Sequence, residues 1–178
     1  MSNNKKKAVN GAKVALDRSV GKIDDRFYLM GMDASRDFQA LKREGIKAVV
    51  VAAFDFVIED EMFLSYKKEG ITCYKTSLVD GRGNTFIDML TALTILNMVY
   101  EKGYKIAICG HGAQSRSPLL LGVFKAIKEK KSLEDSVLEI LDKKHDVCIN
   151  ASLIQFGYNF LFKFNLHKYK LEGIEKKK

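Results

Sequence analysis

The chain has 178 residues, 47% of them apolar and 29% charged, with one proline and no tryptophan. That is the size of one domain with a real core, and the composition excludes collagen-like, proline-rich and low-complexity chains. Lys and Arg number 30 against 22 Asp and Glu, a net charge of +8, which suits an anionic partner but selects none.

No apolar run approaches the roughly 20 residues of a membrane helix. Residues 1–7 are polar and basic with no apolar stretch behind them, so no secretory signal is expected. Cys73, Cys109 and Cys148 are too few and too scattered for a disulfide framework. The expected location is the cytoplasm, or the nucleus, where thiols stay reduced.

In chain order, residues 1–20 read as a flexible basic leader. Residues 27–30 (FYLM) predict a first strand before Gly31. Residues 35–44 predict a helix with Phe38 and Leu41 on one face and Gly45 as its stop. Residues 46–53 (IKAVVVAA) form an almost continuous β-branched run, the pattern of a strand buried on both faces of a helix-covered sheet. A helix over 60–69 ends at Gly70, and a strand over 71–76 packs Cys73. Residues 79–85 (VDGRGNT) are a loop. A long helix over 86–102 carries Ile87, Leu90, Ile95, Met98 and Val99 near one stripe.

Residues 106–108 predict a short buried strand, 110–115 a loop, and 118–130 a helix with its proline in the first turn. Ser132 with Asp135 resembles a cap opening a helix to about residue 144. The last helix spans 151 to about 162, and residues 166–178 read as a basic tail. The predicted architecture is α/β: a central twisted, mostly parallel sheet of four to five strands flanked by helices, in one domain over 21–165.

The segment that carries chemistry is 106–121, IAICGHGAQSRSPLLL. It reads as a buried strand, a loop of small residues and a buried helix. Gly110 and Gly112 let backbone N–H groups turn inward, and the helix start adds unpaired N–H groups and a positive dipole end. Arg116 contributes a planar five-donor fork at that edge. Such an arrangement suits an oxyanion cradle built from His111, Gly112, Ala113, Gln114, Ser115, Arg116 and Ser117 after Gly110, or is a glycine-rich turn with a surface Arg. No Gly-Lys-Ser/Thr follows, so it is not a Walker loop.

Ser115-Arg116-Ser117-Pro118 after a strand resembles the end of the cysteine phosphatase signature, His-Cys-x5-Arg-Ser. The resemblance extends over roughly residues 22–162. Residues 27–31 are similar to the dual-specificity phosphatase start "LYLG", and 40–53 to that family's helix and following strand. Residues 70–80 are similar to the approach to its general-acid loop, and 132–160 to its last two helices. The resemblance implies the dual-specificity phosphatase fold and a phosphate-binding loop, with a phosphorylated protein or other phosphate-bearing ligand as partner and no cofactor.

Two registers of the signature are open. The gapless one puts Cys109 at the family's histidine and Gly110 at its nucleophilic cysteine, with Ala113 in place of the loop glycine. A glycine cannot attack phosphorus, so this register implies a pseudophosphatase that keeps the cradle and loses the chemistry. The other inserts one residue and makes Cys109 the nucleophile, recovering Cys-x-His-Gly through His111. That version implies an active protein or RNA 5′-phosphatase. It leaves six residues before Arg116 where a tight loop has five, and an error near 1 Å costs on the order of 100-fold in rate.

Asp80 lies 30 positions before Gly110 and matches the family's general acid; Asp-Gly is also a common turn pair. Ser117 matches the hydroxyl that helps the thiolate leave, or caps the helix. Arg82 is placed to steer phosphate or is simply exposed. No His, Cys or Asp cluster has metal spacing. His145 and His167 stand alone, and Cys148 reads as a core thiol.

Overall fold

The computed structural model describes residues 19–55 and 58–175. Its centre is a five-stranded sheet of β1 (Val20–Lys22), β2 (Phe27–Met30), β3 (Ile46–Val51), β4 (Thr72–Lys75) and β5 (Lys105–Cys109). The spatial order is β1-β2-β5-β3-β4. The last four are mutually parallel, and β1 is antiparallel to β2. The six α-helices among the described residues are α1 (Phe38–Glu44), α2 (Asp60–Lys68), α3 (Phe86–Glu101), α4 (Arg116–Glu129), α5 (Leu133–Lys143) and α6 (Ala151–Glu175).

Helices cover both faces of the sheet, which is why its strands are apolar on both sides. Leu29, Ala48, Val50, Ile106 and Ile108 pack in one cluster with residues of α3, α4, α5 and α6. Tyr28, Met30, Val49, Val51, Ala107 and Cys109 pack in a second with Leu41 of α1 and Tyr66 of α2. Side chains therefore alternate between the two clusters along each strand. The four parallel strands point their C-terminal ends at one edge, where ligands bind in open parallel sheets.

The helix caps are local and readable. Asp37 accepts from the N–H of Ala40, and Gly45 ends α1 in the left-handed region at φ 73°. Thr85 and Asp88 form a reciprocal capping box at the start of α3. Ser132 caps α5 by accepting from the N–H of Asp135. Gly157 of α6 sits where a Cβ would stand 2.9 Å from Leu119 and 3.0 Å from Leu133, so the helices meet there over a bare backbone.

Several expectations change. Most of the leader, residues 1–18, lies outside the described residues, as do 176–178 of the tail. Val20–Lys22 is an edge strand, and Ser19 Oγ donates to Asp146. The helix expected over 35–44 is a 3-10 turn, Ala34–Arg36, followed by α1. The last helix continues beyond 162 to Glu175. On α3 the buried row is Met89, Ala92, Leu93, Leu96 and Val99, whereas Ile87 is 64% exposed. That helix is apolar on most sides, so its stripe alone does not fix its rotation.

Among the described residues no helix is long and apolar enough to cross a membrane, and no group of His, Cys, Asp or Glu is placed to hold a metal ion.

Candidate functional site

The site forms at the C-terminal end of β5. Ile106 and Ile108 face the α3–α6 layer, while Ala107 and Cys109 face α1 and α2. Cys109 is fully buried, and burial pushes its thiol up to about 12 against the pull of a hydrogen bond with Ser35. The alternation returns to the α4 side at residue 110. A Cβ built on Gly110 would lie 3.1 Å from Ser117 Oγ. The backbone of Gly110 is not in the left-handed region, so a side chain there is conformationally allowed.

The loop from 110 to 115 turns its carbonyls outward. His111 O accepts from the N–H of Met32 at 2.9 Å and Gln114 O from that of Cys148 at 2.8 Å. Gly112 O accepts from Lys144 Nζ at 3.4 Å. The N–H groups of Gly112, Ala113, Gln114 and Ser115 donate to no acceptor among the described residues. Buried or half-buried amides without partners thus gather at the start of a 14-residue helix, an arrangement whose chemistry suits an anion. The turn depends on Ala113, which is 3% exposed and left-handed at φ 50°. Neither Gly110 nor Gly112 uses a positive φ. The conformation a glycine adopts freely is thus held by an alanine.

Lys144, after α5, braces this loop. It is 3% exposed, and its Nζ also bonds Ser19 Oγ at 2.8 Å and the Asp146 carboxylate. Gly21 packs on its stem with no space for a Cβ, which would stand 2.8 Å from Lys144 Cβ. Gln114 Nε2 donates to Asp146 O at 2.9 Å, so its side chain supports the loop from outside.

Arg116 is buried at the rim and donates through Nη1 to Asp55 Oδ1. The second oxygen of Asp55 is 3.1 Å from His111 Nε2. The Arg116 guanidinium holds the Asp55 carboxyl down at about 2, against an upward push from burial. Asp55 therefore occupies the cation that an anionic ligand would use. The sequence reading missed it. Its one signal is position: it follows β3, next to β5, at the edge where the parallel strands end.

Asp80, Gly110, Arg116 and Ser117 line one cavity of about 310 Å³ together with Cys148 and Asn150. Asn150 Nδ2 donates to Asp80 Oδ1 at 2.9 Å, and its backbone N–H reaches Ser115 Oγ at 3.4 Å. Asn150 thus joins the Asp80 loop to the loop after β5. The Asp80 loop is closed by Asn84, whose side chain bonds both the N–H and the C=O of Val79 at 2.9 Å. Arg82 is exposed and lines the neighbouring cavity with Gln155 and Asn159.

Cys148 is corrected: it is exposed at the cavity rim and is not a core thiol. It lies in an irregular segment after α5, where no helix or strand periodicity turns it inward. The ring of His167 lies 5.9 Å from that of Phe86. Ser117 is the second residue of α4; its Oγ is buried and has no hydrogen-bond partner among the described residues.

Against known structures, this chain is similar to a mouse putative dual specificity phosphatase complexed with zinc tungstate. The TM-score is 0.71 at 10% identity, over 85% of this chain and 91% of that one. The chain has the dual-specificity phosphatase fold. Tk-PTP in its active form matches at TM-score 0.65 and 20% identity, over 82% of this chain and 95% of that one. PTPMT1 in complex with PI(5)P matches at 0.68 and 15%, over 84% and 98%. No protein-family model matches the sequence, and no curated protein matches it. At these identities the likeness of this dual-specificity phosphatase fold to its neighbours is one of architecture.

Proposed function

We propose that this chain is a pseudophosphatase: a dual-specificity phosphatase fold that binds a phosphate-bearing ligand without hydrolysing it. The observation that carries the reading is the approach of Ser117 Oγ to within 3.1 Å of the Cβ that Gly110 lacks. A nucleophile at that position would enter the nest between the amides and Arg116, and glycine supplies none. The only thiol adjacent to it in sequence, Cys109, is fully buried in the opposite layer with its pKa raised to about 12. A neutral, enclosed thiol has neither the charge nor the access for attack on phosphorus.

The cradle retains what binding needs: unpaired amides, a helix N-terminus and the Arg116 fork. Tungstate with the mouse protein and PI(5)P with PTPMT1 are anions held by proteins of this fold. The ligand class for this chain is a phosphomonoester, with a phosphorylated protein as the partner in the cytoplasm or nucleus. Bound there, it is shielded from active phosphatases.

The test is turnover and binding on one sample. Purified chain with p-nitrophenyl phosphate gives no product above buffer, and inorganic tungstate or phosphate raises its melting temperature. Turnover that disappears in Cys109→Ser, with the fold intact by circular dichroism, overturns the reading.

A further inference from the structure

The Ser117 hydroxyl is the least explained polar group of the site. Its residue is 1% exposed, and its Oγ has no hydrogen-bond partner among the described residues. Buried hydroxyls are satisfied in the great majority of cases, so an orphan calls for a cause. This one points at an address. It lies 3.1 Å from where a Cβ on Gly110 would stand, and both residues line the same cavity. The space over Gly110 is therefore the floor of the cradle, with a polar hydrogen at its side.

We propose that Ser117 Oγ is a direct ligand of the bound anion, which seats deeper than a side chain at 110 would allow. This rests on the phosphate-binding reading of the cradle and deepens it. One oxygen of a tetrahedral oxyanion enters the space over Gly110 and accepts from Ser117. The remaining oxygens accept from the amides of the loop and from Arg116 once Asp55 releases it.

Titration calorimetry of the full chain with inorganic tungstate tests this, using wild type, Ser117→Ala, Gly110→Ala and Arg116→Ala. Ser117→Ala is expected to weaken tungstate about tenfold or more, the worth of a hydrogen bond to a charged group. Its melting temperature without anion is expected to hold or rise, because an unpaired hydroxyl is removed. Gly110→Ala is expected to weaken binding as well, by filling the space, and gives a second readout should Ser117→Ala fold poorly. Wild type and Ser117→Ala binding within twofold of each other, with Arg116→Ala abolishing binding, overturns the Ser117 assignment and leaves the cradle reading standing. A wild type that binds neither tungstate nor phosphate overturns both.

Discussion

Asp55 closes over Arg116: one carboxylate oxygen accepts from the guanidinium, and the other sits 3.1 Å from His111 Nε2. On the proposed anion-binding reading, a ligand would compete with this internal carboxylate for the same donor. Asp55→Asn removes the competing charge and keeps the shape, so tungstate affinity is expected to rise, by roughly threefold to tenfold for a partly exposed pair. Calorimetry beside wild type measures it; unchanged or weaker binding assigns Asp55 to holding Arg116 in place.

The same pair sets a pH dependence. The Asp55 carboxyl is lowered from 3.8 to about 2 in the folded chain. A depressed folded-state pKa adds stability that is fully present above the unfolded value and is lost as pH falls through the folded one. The stability difference between wild type and Asp55→Asn is therefore expected to be flat above about pH 5 and to shrink from pH 4 toward pH 2. Asp55 is 57% exposed, so the difference stays under about 1 kcal/mol. Urea unfolding at several pH values reads it.

On the proposed pseudophosphatase reading, Gly110→Cys is expected to create turnover above the wild-type level. The backbone at 110 accepts a side chain, and Ser117 Oγ is within reach of it. Asp80→Asn in that background is expected to remove a factor of about 10²–10⁴, the usual worth of a general acid. Steady-state p-nitrophenyl phosphate kinetics provide the check. A Gly110→Cys protein that binds tungstate yet stays inert would move the missing nucleophile elsewhere.

The three thiols are expected to separate by reactivity. Cys148 is exposed, Cys73 is half-buried and Cys109 is buried, with the last two each pushed up to about 12 by burial. Native protein with a disulfide reagent at pH 8 is expected to label Cys148 rapidly and the others only on unfolding. Rapid modification of Cys109 would contradict its packing.

Ala113→Gly is expected to stabilise the chain. An L-residue in the left-handed region costs about 1–2 kcal/mol, and glycine's added freedom in the unfolded chain returns part of that. A net gain of about 0.5–1 kcal/mol, a shift of roughly 1–4 °C, is expected by thermal melts.

How much of this was legible depended on whether the signal was local. The run IKAVVVAA can be buried on both sides only in a covered sheet, and β3 follows from it. The cradle was legible because its parts, Gly110 to Ser117, are contiguous. Asp55 was not, because only the parallel pairing of β3 with β5 brings residue 55 beside residue 116. Edge strand β1 has three residues with no pattern to read. Cys148 misled because Val147 and Ile149 flank it, and both are half-buried while it is not. The two registers of the signature could not be separated by letters. They differ in which layer a thiol enters, and that follows from alternation along a strand whose first residue had to be known.

Lys144 has a mechanical consequence. Its ammonium joins Ser19, at the root of a three-residue edge strand, to the Gly112 carbonyl on the outside of the nest. Short edge elements are the first to fray in thermal fluctuations. Fraying of β1 is expected to withdraw Ser19 and to leave the Lys144 ammonium held by Asp146, so the outer side of the Gly112 loop is tied to the far margin of the sheet.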